Sequence, residues 1–529
     1  MFQINILPII SKKSILNKVE RNDFVRLCGD YYMDKDSFYS IIIDKKSELP
    51  LYQQLAEGLC RMIEQGILPA NSKLPPIRRM ASKLHVNAVT VVAAYKYLEQ
   101  KRVVYSLVGS GTYVAPLPIE QIEKPIVLNK TKTFAKQMCI EGAVNFVDTS
   151  MPQHLFPVDE FKDAFYTVLE REKGNAFGYL DSMGYLPLRQ IICQYLQEEY
   201  SIHAYADNIQ IISGAQQGID IISKALVNYG DTIFTEKPTF YGACGAFLSR
   251  GGNVITVSME QDGINMVELE NLLKVYHPRF LYIMAYFQTP TGISYSMEKK
   301  RKLLEFAEKY HFYIIEDDNL YDFYYGGEKI VPLKALDYKN KVIYIKSFSK
   351  ILMPGLRMGF MILPKKLLES VQSAKYTTDI STSGFLQKGV EYYLRKYGWQ
   401  YHSAIMRKYG GEQYRMAVSA VKKHLQGKVN FLLPNGGISL WLDLPPNIEA
   451  EELCKMLVAQ NVIVAPSSQY YIGKTEQQSI RICFSNVKQR EIEEGIKKIA
   501  CMIDKILGVA EQKGTRKWSV AESVGRGVY

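Results

Sequence analysis

From residue 144 onward, short apolar runs at 209–212, 232–235, 280–285, 313–315 and 342–345 alternate with stretches of helical periodicity. No other feature restricts the fold as much. A short run of apolar residues with no polar alternation is a strand covered on both faces, and strands separated by helices pair in parallel. The pattern predicts an α/β domain over residues 144–508, a mostly parallel sheet with flanking helices. No internal repeat is visible.

The chain has 529 residues, more than one hydrophobic core usually serves, so at least one further domain is expected. Residues 38–116 have a different texture. Leu51, Leu55, Leu59 and Ile63 recur at helical spacing up to Gly66. A second helix is expected from Pro75 or Pro76, burying Ile77, Met80, Ala81 and Leu84, because proline suits a first helical turn. After the turn His85-Val86-Asn87, a third helix is expected to carry Val89, Val92, Tyr95 and Leu98 inward. Residues 103–114 then read as two strands around Gly109-Ser110-Gly111. Three helices and a hairpin define a small α+β winged helix-turn-helix.

Residues 117–143 are rich in proline, lysine and threonine and read as a linker. Residues 1–37 lack clear periodicity and receive no function, and 509–529 read as a basic, disordered tail. The eight cysteines lie far apart without a CxxC pair, so reduced thiols are expected and no metal site is. The opening residues lack the order of a secretory signal, and no apolar stretch reaches the ~18 residues of a membrane span. A cytoplasmic location is expected.

Residues 38–116 hold ten Lys/Arg against five Asp/Glu, a large part of the formal charge of +11. Lys73, Arg78, Arg79 and Lys83 cluster where a helix-turn-helix meets phosphate, Asn87 and Thr90 stand at the start of the third helix, and Ser110 tops the wing. The partner these imply is double-stranded DNA; a merely solvated basic face is the alternative. The run PLYQQLAEGLCRMIEQGILPANSKLPPIRRMASKLHVNAVTVVAAYKYLEQKRVVYSLVGSGTYV resembles the GntR-type winged-helix family over nearly its whole length. It departs from that family where Asn87 and Ala88 replace the usual Ser-Arg, so the operator sequence cannot be borrowed.

The large domain carries the parts that a phosphorylated aldehyde cofactor needs. Ser347-Phe348-Ser349-Lys350 follows a strand, where α/β sheets present ligands, and Arg357 comes seven residues later. Lys350 is the residue expected to take the aldehyde, with Arg357 and small hydroxyls such as Ser347 converging on the phosphate. Ser213-Gly214-Ala215-Gln216-Gln217 lies between a strand and a helix, so backbone N–H groups at Ala215 and Gln216 suit a phosphate. Glu316-Asp317-Asp318 ends a strand and offers an acid to a ring nitrogen.

Together these pieces resemble the fold-type I, class I aminotransferases, from about Val144 to Leu507. The resemblance implies pyridoxal 5′-phosphate on Lys350 and assigns the ring-nitrogen acid to Asp317, with Asp318 as the alternative. It implies that Phe240 stacks on the ring and that Arg481 binds an α-carboxylate. It further implies that Tyr179 reaches the phosphate of a neighbouring subunit, hence a homodimer with shared sites. Two positions depart from the pattern. Thr289 stands where catalytic relatives carry asparagine, and Asn319 where fused regulators carry tyrosine; both positions normally hydrogen-bond the cofactor's phenolic oxygen. Tyr321 is the residue that would replace the missing hydroxyl.

A GntR-type winged helix followed by an aminotransferase-like domain is the arrangement of the MocR/GabR-type regulators, which nearly the whole chain resembles. The expectation is a pyridoxal-phosphate-dependent transcriptional regulator sensing an amino acid, an amine or the cofactor itself, with weak turnover or none. A working aminotransferase acting on an amino acid and a 2-oxo acid is the alternative, and a dimerisation scaffold with an empty site is a third reading.

Overall fold

The computed structural model describes residues 41–115, apart from positions 42, 45–46, 48, 65–67, 69–71, 102 and 108–110, and residues 140–512, apart from 327–329 and 474–476. The N-terminal extension, most of the linker, the wing tip with Ser110 and the tail beyond 512 lie outside that set. The chain divides into two units, Met1–Glu123 and Lys124–Tyr529.

In the first unit, helices α1 (Leu51–Glu64), α2 (Ile77–Lys83) and α3 (Ala88–Gln100) precede an antiparallel hairpin of β1 (Val104–Leu107) and β2 (Gly111–Val114). Leu55, Leu59, Met80, Val91, Ala94, Leu98, Val104 and Val114 form its core. The expected order of elements is present, but two inward faces need correction. Ile77 is exposed, leaving Met80 and Ala81 as the buried residues of α2. In α3 the buried residues are Val91, Ala94, Tyr95 and Leu98, while Val89 is 71% exposed on the other side. The helix AVTVVAAYKYLEQ is apolar nearly all round at its start, so periodicity alone does not choose a face. The Tyr95 hydroxyl chooses it by donating to the Pro75 carbonyl at 2.8 Å.

The second unit is built on an eight-stranded sheet of order β4-β11-β10-β9-β8-β5-β6-β7. Its central strands are β5 (Thr232–Lys237), β8 (Pro278–Ile283), β9 (Tyr313–Asp318) and β10 (Val342–Ser347), with β6 (Asn253–Glu260) beyond β5 and β4 (Ile209–Ile212) at the opposite edge. The five runs picked out by composition are therefore strands. Pairing is parallel across β10, β9, β8, β5 and β6, whereas β11 (Gly359–Ile362) is antiparallel to both neighbours and β7 (Gly263–Ile264) to β6. Buried residues cover both faces of the sheet, which explains why its strands read as continuous apolar runs. A second sheet, in the order β12 (Asn430–Phe431), β13 (Ser439–Asp443), β16 (Ser479–Cys483) and β15 (Ala465–Pro466), is antiparallel and packs with the long helix Trp399–Leu425 and the final helix Gln489–Gln512 around a separate core. Residues 509–512 belong to that final helix and not to the tail expected after Gly508.

Below the strand ends lies a buried ionic knot. Lys346, 1% exposed, donates to Asp318 at 3.1 Å and Asp322 at 2.9 Å. Tyr195, Tyr200 and the Trp399 indole also donate to Asp322. Burial opposes the charge on Lys346, yet the two carboxylates together raise its pKa above the ordinary lysine value. Replacing Lys346 by methionine leaves two buried carboxyl groups without the cation that bridges them. Stability is expected to fall by about 3–5 kcal/mol, read as a lower urea midpoint of the second unit's transition.

Candidate cofactor and effector site

Strand β10 delivers the site. Its last residue, Ser347, is buried, and its hydroxyl accepts from the Ser349 N–H at 3.2 Å and lies 3.0 Å from the Ser349 hydroxyl. The chain then turns through Lys350 and returns as β11. The return is tight: a Cβ on Gly359 would stand 2.5 Å from the Lys346 carbonyl, so only glycine fits there. Arg357, just before it, adopts φ +47°. Its guanidinium donates to the Ser213 carbonyl at 3.0 Å and the Ser349 hydroxyl at 3.3 Å.

Gly214, at φ +95°, caps helix Ala215–Leu226, and a Cβ there would meet Arg357 Nη2 at 2.7 Å. The glycine thus keeps a space between a cation and the free N–H groups of a twelve-residue helix, the ingredients of an anion cradle. Gln216 directs its side-chain amide to the Gly242 carbonyl at 2.9 Å, so its contribution to that cradle is its backbone. Phe240 stands at the start of helix Tyr241–Ser249, its ring against Gly242 and partly exposed.

Asp317 and Asp318 are separated by the pleat of β9. Asp318 joins the ionic knot, held by Tyr344 and Lys346. Asp317 faces the other side, where the Tyr282 hydroxyl donates at 2.6 Å and the Asn319 amide at 3.0 Å. Burial pushes the Asp317 carboxyl up to about 6, while those two donors favour its charged form. Tyr282 was not singled out in the sequence, because a tyrosine inside a buried strand has no local mark. Thr289 is half-buried beside the cis peptide Thr289–Pro290. Its neighbour Gln288 donates to Glu236 at 3.0 Å and to the Pro238 carbonyl at 2.7 Å, joining that turn to the one that carries Phe240. Tyr321 does not replace a missing hydroxyl: it stacks on Tyr200 and donates to the carbonyls of Glu199 and Ile330.

The Lys350 amine donates to the carbonyl and hydroxyl of Thr149, a residue 201 positions away that sequence reasoning missed. Burial pushes this amine down to about 8, and the Arg481 cation adds to the effect against the pull of Asp148. Arg481 projects from β16 (Ser479–Cys483). It is 4% exposed, donates to the Val147 carbonyl at 3.0 Å and lies 5.4 Å from the Tyr470 ring centre. Its Nε is buried without a partner, which is costly unless an anion arrives. Tyr179 is 90% exposed on the single chain. In the small unit Lys73, Arg78, Arg79 and Lys83 are all exposed. Asn87 accepts from the Val89 N–H at 3.0 Å and so caps α3, and Thr90 is half-buried.

The residues present therefore fit pyridoxal phosphate: an anion cradle kept open by Gly214, an acid on Asp317, a dehydrated lysine and an arginine lacking a partner. The fold and site define a fold-type I transferase domain of the pyridoxal-phosphate type, carried behind a winged helix. Residues 145–499 match aminotransferase class I and II, and the chain belongs to that family; residues 51–114 match the bacterial regulatory proteins of the gntR family, a domain that implies DNA binding. It is 26% identical to the probable rhizopine catabolism regulatory protein MocR of Rhizobium meliloti, over 86% of this chain and 94% of that one. It is 29% identical to aromatic-amino-acid aminotransferase 1 of Thermococcus litoralis, over 65% of this chain and 84% of that one. The α-aminoadipate aminotransferase LysN of Thermus thermophilus, solved with N-(5′-phosphopyridoxyl)-L-leucine, superimposes with a TM-score of 0.66 at 26% identity, covering 72% and 95% of the two chains. Among the described residues no group of side chains has the makings of a metal site, and no helix is long and apolar enough to cross a membrane.

With the Lys350 amine at about 8 instead of 10.5, its reactive neutral form is substantial at physiological pH. The rate at which cofactor-free protein takes up pyridoxal phosphate is expected to rise through a midpoint near pH 8, read from the visible absorbance. Arg481→Met is expected to move that midpoint upward, since the nearby cation is part of the cause. A midpoint near 10 in the unaltered protein would contradict the assignment of a dehydrated amine.

Proposed function

We propose that this chain is a DNA-binding transcriptional regulator whose large domain holds pyridoxal phosphate on Lys350 and senses an amino acid, an amine or the cofactor itself. The observation that carries the reading is the joining, in one chain, of a gntR-type domain to a site that keeps the binding groups of an aminotransferase. The match to MocR over nearly the whole of both chains supports it further. In this reading Arg357, Ser347 and the N–H groups of Ala215 and Gln216 hold the phosphate, Phe240 covers one ring face, and Asp317 faces the ring nitrogen. When bound, the cofactor supplies an aldehyde and an electron-withdrawing ring.

The chain's own groups do the rest. Arg481, with its buried Nε free of a partner, receives the carboxylate of an amino-acid effector. Asn319 directs its amide to Asp317 and so favours the carboxylate. With Thr289 in place of an asparagine and the Tyr321 hydroxyl taken up by the carbonyls of Glu199 and Ile330, the site keeps its binding groups while lacking the usual donors for proton handling. That is why the regulator reading stands above the aminotransferase one, which rests on the retained Lys350 and Arg481. A homodimer is part of the proposal. Tyr179 is exposed, as are Val158, Tyr166, Phe177 and Leu186, apolar surface that a second copy would cover.

For sensing to become regulation, the effector must bind one arrangement of the protein more tightly, and a coupling of ~1–3 kcal/mol changes DNA affinity several-fold to about a hundredfold. The test is binding of the full chain to the DNA upstream of its own coding sequence, cofactor-free, with pyridoxal phosphate, and with cofactor plus mixed amino acids. Affinity is expected to differ among these states, and Lys350→Ala to remove the difference without abolishing DNA binding. Equal affinity throughout, together with keto-acid formation at ordinary enzyme rates of ~1–10³ s⁻¹, would establish the aminotransferase reading instead.

A further inference from the structure

The outward side of α3 is chemically unusual for a surface flanked by cations. The face turned inward is fixed by Val91, Ala94, Tyr95 and Leu98 and by the Tyr95 hydroxyl on Pro75. On the opposite side Val89 stands 71% exposed, Ala93 lies half-buried one turn later, and Lys96 is exposed beyond it. A β-branched residue facing solvent from a helix gains nothing by packing and slightly disfavours the helix. Of the polar residues nearby, Asn87 uses its side-chain oxygen to cap the helix at the Val89 N–H, and Thr90 is half-buried. The first turn of α3 therefore presents methyl groups, while Arg78, Arg79 and Lys83 stand exposed on and at the end of the preceding helix.

We propose that Val89 is a specificity-determining residue that reads the C5-methyl group of thymine in the major groove of duplex DNA. The inference rests on the reading of the small domain as DNA-binding and names what its third helix recognises. Of the major-groove edges, only that of a T·A pair carries a methyl group; the others present donors and acceptors there. An isopropyl group packed on that methyl removes apolar surface from water on both sides. Against a G·C pair the same side chain covers a polar edge and offers no hydrogen bond in return, which is unfavourable. The flanking cations complement the phosphates and fix register without adding base preference.

The test uses the full chain loaded with pyridoxal phosphate. Bound duplexes are first selected from a random pool, and each thymine of the selected site is then replaced in turn by deoxyuridine, which removes the methyl group alone. At one or two positions of each half-site, replacement is expected to weaken binding about three- to fivefold, the usual worth of one buried methyl or methylene. Val89→Ala is expected to weaken binding to the thymine duplex and to lose most of the sensitivity to deoxyuridine at those positions. Val89 is exposed, so the variant folds, and its unchanged thermal melting confirms that. Three outcomes overturn the proposal: deoxyuridine duplexes bound as tightly as their parents, a Val89→Ala protein with undiminished sensitivity, or tight salt-dependent binding with no sequence selected. The last leaves the DNA-binding reading standing. Failure to bind any duplex at low salt removes both.

Discussion

The site depends on a lysine that never touches it. Lys346 lies wholly inside the protein between Asp318 and Asp322, and its ammonium bridges the two carboxyl groups. Burial works against the Asp322 carboxylate, but Lys346 and the donors around it hold its pKa below the ordinary value. Because Lys346 belongs to β10 and Asp318 to β9, the knot fastens together the two strands whose next residues form the site. With Asp318 committed to one face, the pleat leaves Asp317 alone on the other. Tyr195, Tyr200 and Trp399 then tie flanking helices to the same point, so the strand ends do not shift independently of the helices beside them.

The strand core was legible in the sequence because strands covered on both faces need apolar residues at every position, which leaves a local signature. The spacing from Lys350 to Arg357 was legible for a similar reason: both lie on one tight return between adjacent strands. The face of α3 was not. Six of its first seven residues are apolar, so Val89 and Val91 were equally eligible for burial, and a hydroxyl contact to Pro75, twenty positions earlier, made the choice. Thr149 beneath Lys350 and Tyr282 beside Asp317 were equally hidden. Their roles come from distant segments meeting, and nothing in the residues next to them anticipates it. Asn319 was noticed as a departure, but only the structure gives it a partner in Asp317.

The electrostatics of the cleft run in two directions. The Lys350 amine is pushed toward neutrality by burial and by Arg481, while Asp148 nearby is held below the ordinary carboxylate value, against its burial, by the Ser150 N–H and the Asn486 amide. Arg481 carries the same theme, for its Nη2 is tied to the Val147 carbonyl and its Nε is buried without an acceptor. Each group is thus either fastened to the loop at 147–150 or left incomplete toward the cleft. A ligand with a carboxylate completes the arginine without having to displace the contact that positions it.

That loop also fixes the start of the large unit against segments far along the chain. Thr149 accepts from Lys350, Val147 from Arg481 and Ser150 from Ser485, all within ten residues of Ile140, where the described part of the large unit begins. A single residue inserted between Asn145 and Val147 would slide these acceptors past their donors, so the segment that follows β3 (Val144–Asn145) is indexed to the residue against distant parts of the same unit.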